Sequence, residues 1–561
     1  MSQFKNRREF LINSIQTLAG FGLSSQMIST LISGSFNKAF ANNLSPNSLK
    51  YIYMNLPNAP ARWMFDLLLT PNGSNDKFIP GGFGNAIEID SVNKTANPVY
   101  HNVPYQVSQN KTIYLPPIWN MGDSIDFTSI LPHTTFIRGV DMEINNHVVS
   151  NARQLAPIIG GKSIAGVIAD KKQSPISAID FGLGSSSTAV AFKSKSGLGS
   201  IFSSANLVNP ISEVIKPFLT LSDTISFRTP AAQTSVNKFL DQIDTYTNSL
   251  KISKNAMRNT YESAENLISL NINSLANLWD PTYQRYLTLI SKNIEPEKGD
   301  KKLAGVFDNA VPYNSSEDKK YFIAKNVLST HSDLRDLFPI QPKGSTLTRS
   351  TYFAKAFALT EILMISGLTS VIDLSLTTGA LCSVVLKYPI NGSDYSISNI
   401  PVDQHDTGAL VNIISNTIYF RGLLAGITEL VNKLKLEKIF NNTIIHISSE
   451  FNRSPRTDFS GSDHGVNGSN VTLISGMFNE LQHIGNLNIN SNAGIYTGTW
   501  GVASNWIFED GVKRPIRVND IAKSISAMTK SEDVVANGYS LFQSAENGIW
   551  TPIKSGGQNV A

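Results

Sequence analysis

The sequence predicts an α/β fold, a mainly parallel sheet flanked by helices and interrupted by a helical insertion near 190–345. Three observations lead there. Strand-like and helix-like stretches alternate over 49–180 and again over 352–530, the order that builds a sheet covered by helices. The strand-like stretches are continuous apolar runs, as in Thr443-Ile444-Ile445-His446-Ile447, which suits strands buried on both faces. Between the two halves the pattern changes to helical spacing, with Leu240, Ile243, Tyr246 and Leu250 on one face.

Residues 1–41 read as a leader rather than as part of the fold. Arg7-Arg8-Glu9-Phe10-Leu11 has the form of a twin-arginine signal core. A moderately apolar stretch diluted by Gly and Ser follows, and Ala39-Phe40-Ala41 offers a small-x-small cleavage site. The expectation is delivery to the periplasm or beyond by the twin-arginine export machinery, which carries folded proteins. The leader holds Lys5, Arg7, Arg8 and Lys38 against Glu9, so it contributes +3 of the formal charge of +4. The mature chain, 42–561, is therefore near neutral, and no basic and aromatic patch argues for nucleic acid. No later segment is long and apolar enough to span a membrane. Charged residues are 16% and hydrophobic ones 41%, a globular balance. The single Cys382 excludes an internal disulfide framework.

The mature chain opens with the strand Leu49–Met54, followed by a loop whose one nearby carboxylate is Asp66, with Asn55 at the strand end. A second strand, Thr135–Gly139, leads into Val140–Gly161. There His147 and Ser150 are three apart and would share a helix face. Ser150 is read as the cap of a helix over Asn151–Ile158, with His147 a surface loop residue. Residues 185–225 are rich in Ser, Gly and Ala and read as irregular; Met257, Tyr261, Leu267 and Leu270 continue the helical signal of the insertion. The second half predicts a helix over Tyr352–Ser366, a strand over Val371–Leu376 and another within Ala380–Lys387. Then comes Val402-Asp403-Gln404-His405-Asp406-Thr407-Gly408, with Asp406 or Thr407 placed to cap a long helix over Ala409–Leu434. Near the end, Asn519 or Asp520 would cap the last helix.

The chemistry concentrates after the strand Thr443–Ile447, where the chain reads Ser449-Glu450-Phe451-Asn452-Arg453-Ser454-Pro455 and then Ser462-Asp463-His464-Gly465. In open α/β sheets, sites form outside the carboxyl ends of strands. This stretch resembles an exported bacterial family catalogued as domain of unknown function 1501, which typically shows Ser-Glu-Phe-Gly-Arg-Thr-Pro, a short loop and Asp-His-Gly. Asn452 stands for the usual Gly and Ser454 for the usual Thr. The family is related to the sulfatase and alkaline-phosphatase superfamily, so the resemblance implies an alkaline-phosphatase-like fold.

The resemblance also implies a reaction, metal-dependent hydrolysis of an anionic sulfate or phosphate ester. Asp403, His405, Asp463 and His464 are then the metal ligands, for Zn, Mn or Ca, and would converge in one cleft. Ser150 is the candidate nucleophile, and Arg453 or Arg456 would hold the anion. Glu450, Asp66, His147 and His483 are further candidates, with Glu450 read either as a ligand or as the partner of Arg453 in a buried brace. Against this stands a second expectation, a catalytically inactive exported binding or structural protein that keeps the fold. Related enzymes carry a metal-binding Asp after the first strand, and here Asn55 and a loop without glycine stand in its place.

Overall fold

The computed structural model describes residues 49–62, 65–66, 69–72, 77–80, 88–89, 96–97, 103–158, 161–171, 174, 176, 178–182, 199–202, 211, 272–294, 347–376, 386–390, 393–397, 409–455, 462–465, 468–485, 487–488, 502–503, 505–509 and 512–553. The central-sheet strands are β1 (Lys50–Asn55), β2 (Thr134–Asp141), β3 (Ala178–Gly182), β4 (Gly199–Phe202), β5 (Val371–Ser375) and β6 (Thr443–Ser448). A hairpin of β7 (Asn452–Pro455) and β8 (Ser462–Gly465) follows, and the sheet is completed by β9 (Ser469–Ser475), β10 (Gln482–Ile484) and β11 (Ile516–Arg517). The helices used below are α1 (His147–Leu155), α2 (Ile164–Lys171), α3 (Ile272–Ile294), α4 (Leu347–Ile365), α5 (Ala409–Leu436) and α6 (Val518–Thr529).

Both halves of the chain enter one nine-stranded sheet, in the order β4-β3-β5-β1-β6-β9-β2-β10, with β11 also pairing β2. All pairings are parallel except the two made by β9. β1 thus lies between β5 and β6, and the carboxyl ends of β1, β5, β6 and β2 share one edge.

The continuous apolar runs are explained by burial on two sides. Along β1, Ile52 and Met54 face one core, with Ile372, Leu374, Ile445 and Ile447 beside them, and Phe357, Leu363 and Leu424 of α4 and α5 packed on top. Tyr51 and Tyr53 face the other core, with Ile444 and Val371, beneath Ile164 and Ile168 of α2 and Ile521 and Ile525 of α6. α5 and α4 approach closely at Gly426, where any Cβ would collide with the Phe357 ring.

Several expected boundaries shift. The helix after β2 begins at His147, not Asn151, and its cap is Asn146, whose side chain accepts from the N–H of Val149. Ser150 is therefore inside the helix. The last helix is capped at Arg517, and Asp520 takes the third helical position, accepting from the N–H of Arg517 and pairing with Arg514. Of the stretch expected as an insertion, β4 extends the central sheet and α3 packs on α4 and α5. The helical repeat through Leu240–Leu250 lies outside the described residues, as do Asp406 and Thr407. The strand expected within Ala380–Lys387 is found as Leu386–Ile390, one arm of a separate hairpin with Ser393–Ile397.

Candidate functional site

The carboxyl edge of the sheet carries three loops that meet, one each from β1, β6 and β2. Glu450, two residues past β6 and almost fully buried, turns back over β1. Its two oxygens accept the N–H groups of Asn58 and Ala59, each at 2.8 Å. Both of those residues have left-handed backbone, with φ of 66° and 47°, a conformation that costs a residue with a Cβ. Arg453, wholly buried, donates from Nε to the carbonyl of Ala59 at 3.0 Å and from its terminal nitrogen to that of Asn58 at 3.3 Å. Acid and guanidinium thus clamp one turn, the first by its N–H groups and the second by its carbonyls. The brace expected from sequence was an ion pair between Glu450 and Arg453; here the two side chains hold opposite sides of the Asn58–Ala59 backbone. The Arg453 guanidinium is wholly buried.

From β2, Asn145 and His147 reach the same place. The rings of His147 and His464 stand 4.7 Å apart and nearly perpendicular, with Phe451 at 4.8 and 4.0 Å from them. His147 Nδ1 is 3.9 Å from a Glu450 oxygen, and His464 Nδ1 bonds the side chain of Asn145. His464 sits across the β7–β8 hairpin from Arg453, and Asp463 across from Ser454. Neighbours along a strand leave opposite faces, so Asp463 and His464 do not present side by side to one ion from this hairpin. Asp403 and His405, the other two expected ligands, and Arg456 lie outside the described residues. Among the described residues, no group of three or more His, Cys, Asp or Glu is arranged to hold a metal.

The remaining candidates have protein partners. Asp66 is buried against Arg62, four residues back, and accepts also from Thr472 Oγ1 at 2.6 Å and Asn470 Nδ2 at 3.2 Å. It ties the loop after β1 to β9, which places its oxygens in a brace. Ser150 Oγ donates to the carbonyl of Ile144 at 2.8 Å. Its proton is spent on the loop before α1, and the same loop is held by Arg153 through Met142 and Glu143. His483 on β10 pairs in register with Phe136, near the amino-terminal end of β2 and so away from the carboxyl edge. Burial and then the charge of Arg138 hold its pKa well below the usual histidine value.

His446, expected as a packed core residue, is wholly buried and accepts from or donates to the Tyr51 hydroxyl through Nδ1 at 2.8 Å. Burial and then the charge of Arg62 push its pKa down to about 3. Sequence reasoning did not single out Gln154, which takes the Ser448 hydroxyl at 2.5 Å and donates to the Ser449 carbonyl at 3.0 Å. Nor did it single out Asn145; an amide in a run of polar residues carries no signal of what it will meet.

Among the described residues no helix is long and apolar enough to cross a membrane. Comparison with protein-family profiles, with curated proteins and with solved structures finds no match to this chain.

Proposed function

We propose that this chain is an exported protein of the sulfatase-like, alkaline-phosphatase-like kind in which the carboxyl edge of the sheet serves binding or structure in place of ester hydrolysis. The observation that carries the reading is the use already made of the edge. Glu450 receives two backbone N–H groups, Asp66 receives Arg62, Asn470 and Thr472, and Ser150 gives its proton to a carbonyl. A nucleophile needs a base to take its proton, and a metal needs lone pairs that protein donors have not filled. The Arg7-Arg8 leader supports export by the twin-arginine route. Replacing both arginines by Lys is expected to leave the precursor in the cytoplasm; unchanged export would turn the reading to the general secretory route.

A second reading, metal-dependent hydrolysis of a phosphate or sulfate ester, is favoured by one juxtaposition. His147, His464 and Glu450 meet at the edge; Asp403, His405 and Arg456, outside the described residues, stay the further candidates for this reading. Elemental analysis of the mature protein and of His464→Ala, together with turnover of p-nitrophenyl phosphate and sulfate in added Zn2+, Mn2+ or Ca2+, decides between them. The binding reading expects no turnover and no Zn or Mn that depends on His464. Stoichiometric transition metal lost with His464, accompanied by turnover, would replace it.

A further inference from the structure

The expected leader is joined to the centre of the sheet. Its cleavage site ends at Ala41, and β1 begins at Lys50. β1 does not pair with the residues that follow it. Its neighbours are β5 and β6, with Tyr51 opposite Val371 and Lys50 opposite Thr443. Among the described residues, nothing between Asn55 and Val371 joins it in the sheet.

All six residues of β1 are buried in the finished fold. Ile52 and Met54 need α4 and α5 to cover them, and Tyr51 and Tyr53 need α2 and α6. Until those elements exist, the strand presents apolar side chains on both faces and unpaired N–H and C=O groups on both edges. Pairing strands so distant in sequence is also slow, because the loop must close before any contact rewards it. Synthesis therefore creates a mismatch in time: the leader is made first, and the strand that it is joined to is satisfied late. A route that carries folded proteins has to tell a finished chain from an unfinished one.

We infer, on the reading that this chain leaves by the twin-arginine route, that β1 is the completion signal for its export. The leader stands on a folded body only when β5 and β6 have closed on β1. An open β1 beside the leader holds the precursor back. The leader joins at the amino edge of the sheet, whereas Glu450 and the loops it ties lie past the carboxyl ends of β1 and β6. The carboxyl edge is thus complete, and whatever it binds can be in place, before the leader is removed.

The test follows the full precursor in a bacterial host that has the twin-arginine machinery, read as leaderless periplasmic protein against retained precursor. Ile445→Asp puts a charge at a wholly buried position opposite Ile52 of β1, which opens the centre of the sheet. Loss of the periplasmic form is expected, while Ile445→Val is exported as the wild type is. Phe542→Asp is a change of the same kind at another buried position, in the last hairpin and on no strand of the central sheet. It should keep the periplasmic form. In the mature protein, backbone hydrogen exchange at Tyr51–Met54 should proceed only through global unfolding. Export of Ile445→Asp, equal retention of Phe542→Asp, or exchange of β1 by local opening would each overturn the inference. The route is read separately, by Arg7→Lys with Arg8→Lys in an otherwise wild-type precursor; unchanged export there removes the twin-arginine reading and this inference with it.

Discussion

Replacing Asp66 by Asn distinguishes a carboxylate that braces the fold from one that waits for a metal. The substitution keeps the shape and removes the charge. Arg62 is wholly buried and its guanidinium is held by Asp66 through Nε at 3.0 Å and through a second, terminal nitrogen. In the variant side chain one oxygen remains to accept, while the amide NH2 group faces Arg62 in either orientation, together with the Thr472 hydroxyl or the Asn470 amide, all donors here. Breaking one side of a buried pair costs about 3–5 kcal/mol, because the surviving charge stays desolvated. The expected loss for Asp66→Asn is therefore roughly 3–5 kcal/mol in denaturant unfolding. The double variant Arg62→Met with Asp66→Leu should recover much of it, since an apolar pair of similar volume leaves no orphaned charge. The measurement is run with and without chelator. A brace costs the same in both buffers; a metal ligand costs little once the metal is gone. A loss under about 1 kcal/mol, the size of an exposed pair, or a loss confined to buffer with metal would refute the reasoning.

Three further outcomes follow from the same geometry. Glu450→Ala orphans the buried N–H of Ala59 and the half-buried one of Asn58, for an expected cost of about 2–4 kcal/mol by equilibrium unfolding; faster backbone hydrogen exchange at these two positions would accompany it. Gly426→Ala forces the Phe357 ring aside and should cost about 1–3 kcal/mol in the same assay, whereas a neutral result would mean that α4 and α5 pack less tightly than described. His446 gives a pH dependence with a definite sign: its folded pKa of about 3 lies below the unbound value of 6.5, so the unfolded chain takes up a proton first as pH falls. Its stabilisation is complete above pH 6.5 and declines toward pH 3, by roughly 2.7 kcal/mol at about pH 4.5; a His446→Gln variant should lose about one proton's worth of this slope, and an identical slope would exclude His446 as its source.

The sheet was legible in the sequence because its strands are buried on both faces, and such strands announce themselves by composition. Lys50–Asn55, Thr134–Asp141, Val371–Ser375 and Thr443–Ser448 fall within a residue or two of the expected runs. Helix starts were less legible. Ser150 and Asn146 are both competent caps, and the choice fell to Asn146 because Ser150 is needed four residues inside, where its hydroxyl closes the loop at Ile144. The antiparallel course of β9 and the place of β4 at the sheet margin are tertiary outcomes, and no local pattern encodes them.

The edge shows why residue types alone underdetermine a site. Glu450, Arg453, Asp66 and Ser150 are the residues a hydrolase would use, and they are equally the residues that can hold a loop lacking glycine. Asn58 and Ala59 adopt the left-handed conformation without the residue that adopts it at no steric cost. A conformation disfavoured in the chain persists only where its surroundings over-determine it, and here the surroundings are the carboxylate of Glu450 and the guanidinium of Arg453 on opposite sides of the same two peptides. The absence of glycine from this turn and the occupied acid are thus one fact seen twice. Restoring Gly at Ala59 should relax the demand on Glu450, so Ala59→Gly is expected to lessen the cost of Glu450→Ala when the two are combined. A strictly additive pair would mean that the clamp is not what holds the turn.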